Sequence, residues 1–298
     1  MNKLKISVLT ATYNRAKLLS NLYESILRNL SSNIEVEWLI MDDGSTDETK
    51  NEVDKYIKEN KLPIKYFFQE NQGKMQAINN LIEKSEGDLI IECDSDDYFT
   101  DNAFEVIGKE YEKNWENMGN CYGICFLKYG KTWENMGKKF INDTTTMFDL
   151  YFKEGEDGEK ALVFNSQIRK QYKYELENGE KFVTEARMFH KMDDKYRIIC
   201  VNEPIMICEY QNEGYTKNID KQFKENPYGY FNYFKEILQK DMRGVTIQKR
   251  LYAIKHYILF ATLTKQKNVV KQVDGILNKI LVMILYIPGK ILTNKRFK

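Results

Sequence analysis

From Lys5 to Cys93 the chain alternates short apolar runs with longer amphipathic ones, and this rhythm restricts the fold more than any other feature. The runs Lys5–Thr10, Glu37–Met41, Ile64–Gln69 and Leu89–Cys93 have strand length and many β-branched residues. Between them Lys17–Leu30, Asp47–Asn60 and Lys74–Lys84 have the length and spacing of helices. Strands joined by helices cross over and run parallel, and a parallel sheet needs helices on both faces. The expectation is a Rossmann-like α/β fold, a mostly parallel sheet with flanking helices. Residues 101–224 are less regular, with a strand at Tyr122–Lys128 and an acidic, glycine-bearing loop at Glu154–Gly158. From residue 225 onward the pattern is helical to the end. Three parts are therefore expected: 1–100, 101–224 and a helical C-terminal extension, 225–298.

Each early strand ends in polar chemistry, and the carboxyl edge of an open α/β sheet is where ligands bind. The first leads into Thr12-Tyr13-Asn14-Arg15 and the second into Asp42-Asp43-Gly44-Ser45-Thr46-Asp47. Ahead of the third helix stands Asn71-Gln72-Gly73-Lys74, where Gly73 permits a positive φ and Lys74 can face a diphosphate near the helix start. The fourth strand ends at Asp94-Ser95-Asp96-Asp97. Three carboxylates in four residues repel one another unless something positive lies between them. Oxygen ligands of this kind suit Mg²⁺ or Mn²⁺, which keep waters and substrate phosphates in their shell. A solvated turn capped by Asp96 or Asp97 fits the tetrapeptide alone equally well.

Taken together, in this order, these segments resemble the family 2 glycosyltransferases with the GT-A fold. The resemblance rests on Thr12-Tyr13-Asn14, on Asp42 to Asp47, on Asn71-x-Gly73 with Ala77 and Asn79, and on Asp94-Ser95-Asp96-Asp97 in the place of the DXD motif. Ala11 stands where the family usually has proline, which changes loop stiffness more than chemistry. The resemblance implies a UDP-sugar donor and an inverting transfer to a saccharide or lipid-linked saccharide acceptor in surface polysaccharide synthesis. It further implies a site lined by Thr12, Tyr13, Asn14, Asp43, Gly73, Lys74 and Asp94. Tyr13 would stack near the base, Asp43 would accept from the uracil N–H, and Asp94 would hold ribose. Asp96, with Asp97 nearby, would position Mn²⁺ or Mg²⁺.

The catalytic base is sought in the middle part. Glu185 follows Thr184, a possible cap, on a helix whose buried side would carry Met188, Phe189 and Met192. A first-turn acid also suits the helix dipole without any catalytic role. By resemblance it is the base, matched by position rather than motif, because the family's common Glu-Asp pair is Thr184-Glu185 here. Glu180 is its nearest rival. His190 reads as a helix-surface residue. Gly214-Tyr215-Thr216 after the strand ending near Tyr210 suits a lid over a diphosphate. Some members of the resembled family place a metal-binding histidine near here; this chain has none, so waters, or Tyr210 or Tyr215 contacting the diphosphate, would fill that role.

The 45 basic and 44 acidic residues leave no general field for nucleic acid. The five cysteines lack the spacing of a zinc site and read as buried free thiols of a reducing compartment. No leader is expected before the first strand, which places the enzyme in the cytoplasm. Near the C-terminus Ile280–Ile287 is apolar, flanked by Lys279, Lys290, Lys295 and Arg296, and reads as closed by Pro288-Gly289. It is too short to span a bilayer and suits peripheral contact with the inner face of the cell membrane. A core or dimer helix packed on Ile247–Thr264 is the other reading. Two other functions remain open: a non-catalytic nucleotide-binding or scaffold protein on the same fold, and a sugar nucleotidyltransferase. The latter would want a glycine-rich loop after the first strand, and Thr10 to Asn14 contains no glycine.

Overall fold

The computed structural model describes residues 3–114, 119–209 and 219–297. Strand β1 (Leu4–Thr12), helix α1 (Leu19–Arg28), β2 (Ile34–Asp42), α2 (Thr49–Glu59), β3 (Ile64–Phe68), α3 (Lys74–Lys84) and β4 (Leu89–Glu92) follow the expected rhythm closely. Next come β5 (Tyr98–Phe99), α4 (Ala103–Asn114), β6 (Cys121–Gly130), β7 (Thr144–Thr145), α5 (Met147–Phe152), β8 (Lys160–Asn165) and α6 (Ser166–Arg169). The chain continues through α7 (Glu185–Met192), β9 (Arg197–Cys208), α8 (Ile219–Glu225), α9 (Pro227–Gln239), α10 (Ile247–Leu263) and α11 (Ile276–Arg296).

Two compact units form. Residues 1–147, 156–173 and 190–211 make the first, and residues 148–155, 174–189 and 212–298 the second. This division differs from the expected one at 100 and 224, because strands on both sides of residue 100 share one sheet. Its order is β3-β2-β1-β4-β8-β6-β9-β5, with β7 paired to β9. β3, β2, β1 and β4 run parallel, as the crossover helices require. β8 then lies antiparallel to both β4 and β6, β6 and β9 pair parallel again, and antiparallel strands thus extend the parallel part of the sheet. An antiparallel neighbour needs no crossover helix, and the sequence rhythm beyond Cys93 contains none of that regularity.

β1, β2 and β4 are buried on both faces along most of their length, while the edge strand β3 is only half-buried. Ile6, Val8, Trp38 and Ile40 meet Leu19, Leu22 and Ile26 of α1 and Val53 and Tyr56 of α2 in one continuous core. α3, with Ala77, Ile78 and Leu81 buried, packs on β1 and β2. All five cysteines are buried and free.

The second unit has its own core, built from Phe231, Phe234 and Ile237 of α9 and Ile254, Tyr257 and Ile258 of α10. Pro288-Gly289 does not end the last helix, which runs on to Arg296. An interior proline costs roughly 3 kcal/mol through a lost hydrogen bond and a clash. Packing against α10 opposes that cost: Val282 is fully buried, and a Cβ on Gly289 would lie 2.8 Å from Ile258 Cγ2, a gap only glycine tolerates. α11 is 21 residues long and contains an 18-residue stretch of mean hydropathy 1.6, long and apolar enough to cross a membrane by length and composition, so the shorter apolar segment understated it. His190 is 4% exposed and not a surface residue. α7 buries Arg187, Met188, Phe189, His190 and Met192, so it has no fully solvent-facing side on which a polar residue could sit.

Candidate active site

Four loops leave the carboxyl ends of β3, β2, β1 and β4, which are neighbours in the sheet. Asn14 ties the first two loops together. Its backbone sits in the left-handed region at φ 52, which asparagine tolerates better than most residues. Its N–H donates to Ser45 Oγ at 2.8 Å, and its Oδ1 accepts from the N–H groups of Thr46 at 2.8 Å and Asp47 at 3.3 Å. Asn14 thus knots the two loops together.

Asp43 does the same for the second and third loops. Its carboxylate accepts from Gln69 Nε2 at 2.7 Å and from the N–H groups of Gln72 and Gly73, each at 2.8 Å. Gly73 has the anticipated positive φ, 93°, and stands at the N-cap of α3. Asp43 is 3% exposed, and much of its accepting capacity is already taken by the loop. Beside this knot Tyr13 presents an open face, 48% exposed. Thr12 is buried, and its Oγ1 has no hydrogen-bond partner among the described residues.

The acidic tetrapeptide has positive charge between its carboxylates, and the chain itself supplies it. Lys74 Nζ lies 2.7 Å from Asp94, and Lys128 Nζ, reaching in from β6, lies 2.8 Å from Asp97 and 3.5 Å from Glu159. Burial opposes ionisation of Asp94, yet Lys74 and Lys128 outweigh it and hold its pKa below the ordinary value. Asp97 goes the other way: burial outweighs Lys128 and lifts it to about 6. Asp96 is raised by burial and by the neighbouring charge of Asp94, with Arg15 pulling it down.

Among the described residues no cluster of three histidines, cysteines or acids could hold a metal ion by itself. The donor chemistry fits a shared ion instead. Mg²⁺ and Mn²⁺ sites of this type use one or two carboxylates and complete the shell with phosphate oxygens and water. Asp96 is the member of the tetrapeptide that no lysine holds among the described residues. Arg15 and Lys128 were not singled out in the sequence. Arg15 immediately follows the Thr12-Tyr13-Asn14 segment and could have been noticed; nothing local marks Lys128.

In the second unit, Glu185 opens α7. Glu180 has a different task. Its carboxylate accepts from the N–H groups of Tyr228 at 2.6 Å and Gly229 at 2.7 Å, capping the start of α9. The lid expected at Gly214 to Thr216, with Tyr210 and Tyr215, lies outside the described residues.

The profile of glycosyl transferase family 2 matches residues 7–172. Among curated proteins, an uncharacterized glycosyltransferase of Mycoplasma genitalium is 34% identical over 115 residues, 37% of this chain and 38% of that protein. The poly(ribitol-phosphate) beta-N-acetylglucosaminyltransferase TarS of Staphylococcus aureus is 32% identical over 95 residues, 32% of this chain and 17% of that protein. The matched segments therefore span well under two thirds of these relatives. Among solved structures, S. aureus TarS 1–349 in complex with UDP-GlcNAc superposes with a TM-score of 0.62 at 16% identity, covering 99% of this chain and 91% of that one. Mannosyltransferase PcManGT from Pyrobaculum calidifontis, in complex with GDP-Man and Mn²⁺, gives 0.53 at 16% identity, covering 99% and 84%. At such identities the likeness is one of fold.

Proposed function

Because this chain belongs to glycosyl transferase family 2, we propose that it moves a sugar from a UDP-sugar to a saccharide acceptor with inversion at the anomeric carbon. The observation that supports the reading is the set of groups at the carboxyl edge: the unpartnered Thr12 hydroxyl, the exposed Tyr13, and Asp96 beside the Lys74–Asp94 pair. Tyr13 stacks on the base and Asp43 accepts from the uracil N–H through remaining lone-pair capacity. Asp94 holds ribose and Lys74 faces the diphosphate. Asp96, with Asp97 held by Lys128, would hold Mn²⁺ or Mg²⁺, which would supply positive charge against the leaving diphosphate. Glu185 takes the proton of the attacking hydroxyl.

An acceptor carried by a membrane lipid accords with α11. Ile276, Ile280, Met283, Ile284, Ile287 and Ile291 recur at helical spacing and are all exposed, with Lys279 and Lys290 nearby. Asn278, Val282 and Thr293 face inward. One face held by α10 and one apolar face left open suit a helix lying in the interface rather than crossing it.

Titration calorimetry tests the donor site. UDP should bind far more tightly with Mn²⁺ than with chelator, and Asp96→Asn should remove the difference. Equal affinity with and without metal would sink the metal assignment, and no UDP binding at all would sink the donor.

A further inference from the structure

The second compact unit contains a half-open cavity of about 410 Å³, inside the range of roughly 300–1,000 Å³ usual for small-molecule sites. Its wall is aromatic. Phe223 and Tyr230 meet edge to face at 4.9 Å, Phe234 stacks on His256 at 5.0 Å, and Tyr252 lies 4.2 Å from His256. Rings locked against one another in this way form a rigid platform. Tyr252 stands at the rim, 51% exposed.

The polar side chains lining the cavity are Thr184, His256 and Arg296, together with the hydroxyl-bearing Tyr230, Tyr233 and Tyr252. His256 Nδ1 lies 2.9 Å from the Tyr252 carbonyl oxygen. A carbonyl only accepts, so the neutral ring donates from Nδ1 and keeps Nε2 as an acceptor. Burial, helped by the charges of Lys255 and Arg296, holds the imidazole pKa below its ordinary value, which keeps the ring neutral near pH 7. Arg296 is paired with Asp220, so its charge is already matched. The cavity therefore combines aromatic rings, of which Tyr252 is the open one, with hydroxyls and a neutral acceptor, and its arginine is charge-matched. A free anion finds little there. A ring with C–H groups on one face and hydroxyls around its edge suits the open Tyr252 ring and the His256 acceptor.

We propose that this cavity is a subsite for a saccharide ring of the acceptor. Thr184, on its wall, directly precedes Glu185, so the inference rests on the reading of Glu185 as the base. Binding here would select acceptors by the shape of one neutral sugar unit.

Saturation-transfer NMR on the full chain at neutral pH tests it. The probes are the methyl glycosides of glucose, galactose and N-acetylglucosamine, with inorganic phosphate as competitor. Saturation should reach the ring C–H protons of at least one glycoside. Tyr252→Ala should weaken that glycoside by about tenfold, and Ile219→Trp, filling the cavity from an exposed position, should abolish the signal. Phosphate should not compete. Silence from all three glycosides, equal signals in wild type and both variants, or displacement by phosphate each overturns the proposal. UDP calorimetry on the same samples keeps the readings apart: lost UDP binding removes the donor reading, while the glycoside signal alone decides this one.

Discussion

At the scale of single residues, the carboxylates divide by what already holds them. Asp94 and Asp97 have lysines, Asp43 has three donors from its own loops, and Glu180 caps a helix. The contrast between Glu180 and Glu185 makes a sharp test. Glu180→Gln should lower the melting temperature, since losing a helix cap costs about 0.5–2 kcal/mol, while turnover per folded molecule persists. Glu185→Gln should melt as wild type and keep UDP affinity within a few-fold, with turnover down by ~10²–10⁴. Melting curves beside single-turnover kinetics separate the two. A dead Glu180→Gln with an active Glu185→Gln would reverse the assignment of the base.

At the scale of elements, α11 carries the clearest prediction. Removing the whole helix would uncover α10 and strip Val282 from the core, so truncation would confuse membrane contact with unfolding. Substituting the open row is cleaner. Ile284 and Ile287 are 62% and 69% exposed, and Ile284→Glu with Ile287→Glu should leave thermal unfolding unchanged. Fully burying one such side chain is worth about 1.5–3 kcal/mol, so binding to anionic vesicles should fall by more than about tenfold. High salt should weaken the wild type only in part, because the apolar contribution is not screened. Co-sedimentation beside size-exclusion chromatography reads both outcomes. A wild type that ignores vesicles, with a variant that breaks a dimer, would make the row a subunit interface.

At the scale of the whole molecule, one buried charge away from the site couples stability to pH. Glu37 on β2 is 2% exposed and accepts from Ser7 Oγ on β1 at 2.6 Å and from the Glu86 N–H at 2.7 Å. Burial pushes its pKa up, but these bonds, with Lys65 at 3.0 Å and the charge of Lys5, outweigh it and bring the pKa below the ordinary value. A depressed carboxyl contributes stability that is present above its unfolded pKa of ~4.3 and is lost as pH falls through the folded value. Urea unfolding should therefore show wild-type stability dropping on the acid side. Glu37→Gln should be less stable at neutral pH and flatter across that acid range. Parallel curves for the two proteins would remove Glu37 as the coupled group.

The amino-acid order by itself settled the strand–helix rhythm of the first ninety residues, and with it the edge where Thr12, Asp43, Gly73 and Asp94 gather. Such information is local: periodicity, a glycine at positive φ, polar residues at strand ends. Tertiary structure decided what depends on partners distant in the chain. Lys128 meets Asp97 across 31 positions, and Glu180 meets the start of α9 across 48. β8 enters antiparallel between β4 and β6, which no repeat of spacing announces. His190 is buried because α7 is enclosed around most of its circumference. The last helix continues through Pro288 because packing on α10 opposes a local cost. Propensity acts over a few residues, and it yields wherever burial and pairing bring more free energy from elsewhere in the fold.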